Sequence, residues 1–277
     1  MQQRNFKQVD VFTATAYRGN PLAVVLDGEG LSDERMQAFA RWTNLSETSF
    51  VLAPTQPGAD YRVRIFTPGG ELPFAGHPTL GTCRAWLHDG GRPRGELIVQ
   101  ECGVGLVQVR RDGERLAFAA PALRRRDVEP ALLQSVLAAL GLPRERLRAA
   151  QWLDNGPQWL GLLVDDAQTV LALEPDQAAL KSLAKVGVVA PRPAGSDTQF
   201  EVRAFAAPIG IAEDPVTGSL NAGLAQWLIE TGVAPPSYVA SQGRCLGRDG
   251  RVHVQSVGPT LWIGGDTALC VQGSVTL

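Results

Sequence analysis

Histidine is scarce in this 277-residue chain, with three in all, and cysteine nearly so, with four. Cys83, Cys102, Cys245 and Cys270 form neither a CxxC pair nor any metal-ligand spacing. They are expected as reduced thiols acting as small core residues. His77, His88 and His253 are scattered along the chain, which argues against a zinc site. No GxxxxGK[ST] phosphate loop occurs, so a cofactor-free protein is expected. Excess charge of one sign is also missing: the formal net charge is -2 and the pI about 6.0. Nothing therefore favours nucleic acid or an anionic membrane as partner. No run approaches the ~18 to 20 apolar residues of a membrane span. Met1 to Asn5 lacks the apolar core of a signal peptide, so the expected compartment is the cytoplasm.

What the chain does have is a repeat. Glu71-Leu-Pro73-Phe-Ala-Gly76-His77-Pro-Thr-Leu-Gly81 is matched 142 residues later by Glu213-Asp214-Pro215-Val-Thr-Gly218-Ser219-Leu-Asn-Ala-Gly223. Each copy follows a strand-like segment of one pattern, Tyr61 to Phe66 and Phe200 to Phe205. A scaffold repeated at this period implies two like-folded halves with a cleft between them. Residues that break the repeat are then the first candidates for function.

The pattern of elements gives the class. Val9 to Phe12 and Leu22 to Leu26 read as strands around a Gly19-Asn20-Pro21 turn. Asp33 to Ala40 reads as a helix capped by Ser32, and Pro78 to His88 as a helix with proline in its first turn. Segments 97–99, 105–110 and 116–118 form a strand meander, and the basic stretch from Pro121 to Pro130, with Arg124 to Arg126 as solvated linker, suits a domain junction. The order then recurs, with helices at 131–140, 176–184 and 219–230. Mixed strands and helices without regular βαβα alternation mean α+β, in two similar domains of residues 1–122 and 123–277. Whether the last strand, near 268–277, returns to the first domain is left open by the hydrophobic pattern. All six tryptophans are expected in the core.

Both Gly76 and Gly218 fall where the chain enters a helix. Glycine there gives backbone freedom and close approach, and the unpaired amides with the positive end of the helix dipole suit a carboxylate. Two such turns related by a repeat can grip one small anion. Aligning the halves at the constant offset puts Glu47 opposite Val189, His77 opposite Ser219 and Asp214 opposite Leu72. Glutamate, histidine and aspartate are the usual proton-transfer set. Each also has a plain alternative: Glu47 as an exposed edge, His77 as a cap, Asp214 as a turn former, Ser219 as a helix cap.

At these residues the chain resembles the PhzF-like family, the phenazine biosynthesis protein F-like isomerases, whose fold is similar to diaminopimelate epimerase and proline racemase. The motifs that carry the resemblance are Gly19-Asn20-Pro21, Asn44-Leu45-Ser46-Glu47-Thr48, Phe74-Ala75-Gly76-His77-Pro78-Thr79, Glu213 to Ser219, and Ser241-Gln242-Gly243 followed by Gly247-Arg248. The resemblance implies two domains, each a strand-rich barrel around a central helix. It implies a site between them, no cofactor, and a homodimer. It implies Glu47 as the acid/base that moves a proton within a small carboxylated, cyclic substrate such as trans-2,3-dihydro-3-hydroxyanthranilate. Ser46, Gly76, His77, Asp214, Gly218 and Ser219 would bind that substrate. Related epimerases place thiols where this chain has Ala75 and Thr217, so racemisation by a cysteine pair is not expected. Two other functions stay open at this point: a small-acid binding protein on the same scaffold, and a lyase or hydratase using the same glutamate.

Overall fold

A computed structural model describes all 277 residues, which fall into two compact units, residues 1–119 with 264–277 and residues 120–263. The first unit contains β1 (Gln3–Val11), β2 (Asn20–Val25), α1 (Asp33–Thr43), β3 (Thr48–Leu52), β4 (Tyr61–Thr67), β5 (Gly70–Leu72), α2 (Gly76–His88), β6 (Ile98–Cys102), β7 (Gly105–Asp112) and β8 (Arg115–Ala119). The second contains β9 (Arg124–Arg126), α3 (Pro130–Leu140), β10 (Leu147–Asp154), β11 (Gln158–Val164), α4 (Ala167–Leu171), α5 (Gln177–Leu180), β12 (Val186–Pro191), β13 (Phe200–Ala206), β14 (Ile211–Asp214), α6 (Gly218–Glu230), β15 (Ser237–Gln242) and β16 (Gly250–Val257), and most of β17 (Thr260–Gly265). The last strand, β18 (Thr267–Thr276), pairs antiparallel with β1 from Gln3↔Thr276 to Val11↔Thr267, so the chain ends in the unit where it began.

The same order of pairing builds both units. In the first, β1 and β2 are antiparallel, β2 and β3 parallel, β3 and β4 antiparallel, and β4 and β6 parallel. In the second, β10–β11, β11–β12, β12–β13 and β13–β15 repeat that series. The crossover α2, which sequence reading began at Pro78, starts at Gly76, and its counterpart α6 starts at Gly218. Both are buried over most of their length, because their apolar sides face strands. Close packing needs small residues: a Cβ on Gly81 would lie 2.6 Å from Leu22 Cδ2 on β2. The fold is α+β, strand-rich around central helices.

One ion pair is copied with the scaffold. Arg64 makes a two-pronged contact with Glu71, Nε to Oε1 at 2.8 Å and Nη2 to Oε2 at 2.6 Å. Arg203 and Glu213 repeat it at 3.1 and 2.8 Å. Each guanidinium also lies over a phenylalanine ring two residues on, Phe66 at 5.1 Å and Phe205 at 4.8 Å. The pair ties the strand before each glycine turn to the segment that enters that turn, which gives Glu71 and Glu213 the same structural part in both copies.

Four sequence expectations are corrected. The helix expected over 176–184 is one turn, Gln177–Leu180, because the chain must be extended again by Val186 to enter β12; a separate short helix, α4, precedes it. Trp42 is not a core residue: it is 79% exposed and stacks on Phe39 at 6.1 Å from the outer side of α1. Cys245 is exposed, unlike buried Cys83 and Cys102. Asn20 and Pro21 open β2 rather than forming a separate turn.

The copied ion pair generates a contrast. Arg203 and Glu213 are 7% and 8% exposed, so Glu213→Gln, which strips the charge from a buried partner, should cost about 3 kcal/mol or more. Arg64 and Glu71 are 23% and 41% exposed, and Glu71→Gln should cost less than about 1 kcal/mol. Urea unfolding of the two variants checks this; equal losses would contradict it.

Candidate functional site

In the first unit the chain brings Glu47 to His77. Helix α1 ends on Asn44, which takes the left-handed conformation (φ 54°) and returns its N–H to the Ala40 carbonyl. The chain reverses there and enters β3 at Thr48, whose buried hydroxyl lies 3.0 Å from that of Thr43. Ser46 and Glu47 are thereby held, half-buried, at the start of a strand anchored to β2 by the Ala23↔Thr48 pairing. Glu47 Oε2 lies 3.4 Å from His77 Nδ1, and Asn20 Nδ2 lies 3.4 Å from the same nitrogen. Glu47 is 15% exposed and His77 4%. The carboxyl is therefore neither an exposed edge nor a cap.

The Glu47–His77 contact is not an ion pair. Burial pushes the His77 imidazole down to about 3, with only the Pro21 carbonyl opposing, so the ring is neutral near pH 7. A neutral ring beside a carboxyl group can share or donate a hydrogen bond without neutralising the carboxylate. His77 is also not the N-cap of α2. Ala75 holds that place, with no side-chain cap, and His77 belongs to the first helical turn. Neither Gly76 nor Gly218 has positive φ; both are helical, and the missing side chain supplies access to first-turn amides rather than an unusual backbone angle.

The second unit arranges its polar residues differently. Asp214 ends β14 and is 8% exposed; its Oδ2 accepts the Thr217 hydroxyl at 2.5 Å. Gln242 Oε1 accepts from the Thr217 backbone N–H at 3.0 Å, and its Nε2 donates to the Asp214 carbonyl at 3.1 Å and to Thr217 Oγ1 at 3.0 Å. Ser219 is not the cap of α6, since Thr217 precedes the helix and makes no side-chain cap. Instead Ser219 Oγ accepts from Trp159 Nε1 at 3.1 Å, and its carbonyl accepts from Asn155 Nδ2 at 2.8 Å. Residue type and spacing point to Asp214, Gly218 and Ser219 but assign no role to Thr217, Asn221 or Gln242. The Gln242 motif was visible as Ser241-Gln242-Gly243; what it touches was not.

Strand register also corrects the alignment of Glu47 with Val189. Thr48 pairs with Phe66 and Val186 with Phe205, which makes the residues just before β3 and β12 equivalent: Glu47 and Lys185. Lys185 Nζ lies 4.9 Å from the centre of the Trp159 ring. The second unit thus carries a cation where the first carries its carboxyl group, and no second carboxylate acid/base stands at the equivalent place. No group of three or more His, Cys, Asp or Glu side chains is arranged to hold a metal ion, and no helix is long and apolar enough to cross a membrane.

Paired strand-rich units around buried helices define the diaminopimelate epimerase-like class of fold. Residues 9–273 match the family described as phenazine biosynthesis-like protein (PhzC-PhzF), and the chain belongs to that family. It is 35% identical to the trans-2,3-dihydro-3-hydroxyanthranilate isomerase of Pseudomonas aeruginosa, over 90% of this chain and 89% of that one. It is 38% identical to antisense-enhancing sequence 1 of Schizosaccharomyces pombe, over 99% of both chains. The crystal structure of a PhzF-family protein from Bacillus anthracis superposes over 100% of both chains with a TM-score of 0.87 at 24% identity, which speaks for the fold. The chain is an enzyme of the isomerase class.

His77 offers a direct check of the site's electrostatics. A histidine whose folded value lies below its unfolded value, about 6.5, is protonated preferentially in the unfolded chain. Stability carried by the neutral ring is therefore lost as pH falls from about 6.5 toward 3. Histidine-selective NMR should find the His77 ring uncharged at pH 5.5, and a titration midpoint near 6.5 would contradict the burial argument.

Proposed function

We propose that this protein is a cofactor-independent isomerase that shifts a proton within a small, carboxylated, cyclic substrate, with Glu47 as the acid/base. The observation that carries the reading is the 3.4 Å approach of Glu47 Oε2 to a buried, neutral His77 in the first turn of α2. As carboxylate, Glu47 takes a proton from one ring carbon, and the electron pair moves into the adjacent unsaturation. As carboxylic acid, it returns the proton to another carbon, so it ends each cycle ionised. His77, being neutral, steadies the substrate through a hydrogen bond and leaves the charge on Glu47 available for proton abstraction.

Substrate binding is assigned to Ser46, Gly76 and His77 in the first unit and to Asp214, Gly218 and Ser219 in the second. Amides that precede the first intrahelical bond of α2 and α6 suit a carboxylate, and Asp214 suits an amino or hydroxyl hydrogen. The isomerase relative names a compound with these groups, trans-2,3-dihydro-3-hydroxyanthranilate, which makes it the first substrate to try. Lys185 at the position equivalent to Glu47 supports a single proton-transfer group rather than a two-base racemase.

A positioned acid/base contributes about 10² to 10⁴ in rate, so Glu47→Gln should lose at least about 100-fold in kcat on this substrate, with the thermal midpoint near that of the parent. Turnover within about threefold of the parent would remove Glu47 from the mechanism. Saturable binding without turnover by the parent itself would favour a binding protein.

A further inference from the structure

Both units bury one glutamine beneath the start of the central helix. Gln100 and Gln242, wholly buried, are separated by the repeat's own offset of 142 residues. Each meets the side chain of the fourth residue of its helix: Gln100 Nε2 donates to Thr79 Oγ1 at 3.0 Å, and Gln242 Oε1 accepts from Asn221 Nδ2 at 2.8 Å. Thr79 and Asn221 in turn each donate to the N-cap carbonyl of their helix, Ala75 and Thr217, at 2.9 Å. To this extent the two glutamines are copies of one scaffold device. They differ in what else they hold. Gln100 Oε1 accepts from the buried Tyr61 hydroxyl at 3.1 Å, a core contact. Gln242 is turned to the functional loop.

Donor and acceptor chemistry fixes the orientation of the Gln242 amide in that loop. The Thr217 backbone N–H can only donate, so the Gln242 atom 3.0 Å away is the amide oxygen. The Asp214 carbonyl can only accept, so the atom 3.1 Å from it is the amide nitrogen, which fixes the same orientation independently. That nitrogen also donates to Thr217 Oγ1 at 3.0 Å. An ionised Asp214 can only accept, and with the Gln242 N–H on one lone pair of the hydroxyl, the Thr217 proton is free to point to Asp214 Oδ2, 2.5 Å away. A hydroxyl held as donor favours the ionised carboxylate over the acid. Gly243 makes room for the arrangement: at φ 93° its Cα has no side chain where a Cβ would lie 2.6 Å from the Pro215 carbonyl oxygen.

We propose that Gln242, acting through the Thr217 hydroxyl, is a positioning residue that holds Asp214 ionised and in one orientation as an acceptor for a hydrogen-bond donor, an ammonium or hydroxyl, on the substrate. The substrate contact of Asp214 belongs to the function proposed above, and the setting of its carboxylate by Gln242 and Thr217 goes beyond it. Gln100 supplies the comparison, since it is equally buried and equivalent in the repeat but touches no part of the functional loop.

The test has two arms. In the first, Asp carboxyl carbons are followed by ¹³C NMR against pH, and the Asp214 signal is the one missing from Asp214→Asn. Its midpoint should rise by about one pH unit in Thr217→Val, rise less in Gln242→Met, and stay in place in Thr217→Ser and Gln100→Met. In the second, turnover of trans-2,3-dihydro-3-hydroxyanthranilate is measured. Gln242→Met should raise KM about tenfold with kcat within about threefold, and should add little in an Asp214→Asn background. An unmoved Asp214 midpoint in both Thr217→Val and Gln242→Met overturns the proposal. So does a loss on Gln242→Met that is as large in the Asp214→Asn background as in the parent. If the parent does not turn the compound over, the function proposed above fails on that substrate while the titration still decides the role of Gln242. Thermal midpoints of Gln242→Met and Gln100→Met, expected to fall alike, separate loss of a buried amide from loss of positioning.

Discussion

A carboxyl group beside a histidine that burial keeps uncharged is the constraint on which the site depends. Were the ring protonated, Glu47 would be half of an ion pair, its charge neutralised and its basicity spent. With His77 4% exposed and pushed down to about 3, the ring puts no positive charge beside Glu47, as the proposed acid/base role requires. That situation follows from local structure. The left-handed Asn44 and the Thr43–Thr48 contact deliver Glu47 to the head of β3, while Asn20 and Pro21, opening β2, cover the imidazole.

The internal repeat separates what holds the protein up from what it does. The Arg64–Glu71 and Arg203–Glu213 pairs, the glutamines beneath the helices and the threonine or asparagine that returns to the N-cap carbonyl recur in both units. As shared features they are scaffold, and each satisfies polar groups that burial would otherwise strand; the further contacts of Gln242 with the loop before α6 have no copy in the first unit. The exceptions are the residues to which the proposed chemistry is assigned. Glu47 is answered by Lys185, His77 by Ser219, and Ala75 by Thr217, so one unit is built around a carboxyl–imidazole pair and the other around an anchored aspartate. The two frames pair their strands in the same order and differ at a few polar positions.

Much of this was legible in the sequence, and the limits have physical causes. The repeat, the α+β class, the two central helices and the motifs around Glu47, His77 and Asp214 could all be read from spacing and residue type. The return of β18 to β1 could not, because strand partners are set by tertiary pairing rather than by alternation along one segment. A constant offset of 142 sets Glu47 against Val189, whereas strand register sets it against Lys185. Phe205 to Gly218 is longer than Phe66 to Gly76 by the 3₁₀ turn Ala207–Ile209, which shifts the register upstream of it by three residues, and the strand connection before Phe66 and Phe205 shifts it by one more. Ser219 looked like a cap by residue type, but the Trp159 indole claims its hydroxyl. Trp42 looked like core, yet the outer face of α1 leaves it in solvent. Gln242 stands inside the Ser241-Gln242-Gly243 motif, and its hydrogen bonds to Asp214 and Thr217 are set by tertiary contact rather than by spacing.

The most direct measurement of the central claim is the fate of one proton. The protein is incubated in D₂O with trans-2,3-dihydro-3-hydroxyanthranilate, and the product is followed by ¹H and ²H NMR. A single carboxyl group that picks up and returns a proton predicts isomerised product with at most one deuterium on carbon, placed on one face of the ring, and none when Glu47→Gln replaces the parent. Isomerised product formed at the parent's rate by Glu47→Gln, with the same deuterium at the same carbon, would contradict the account.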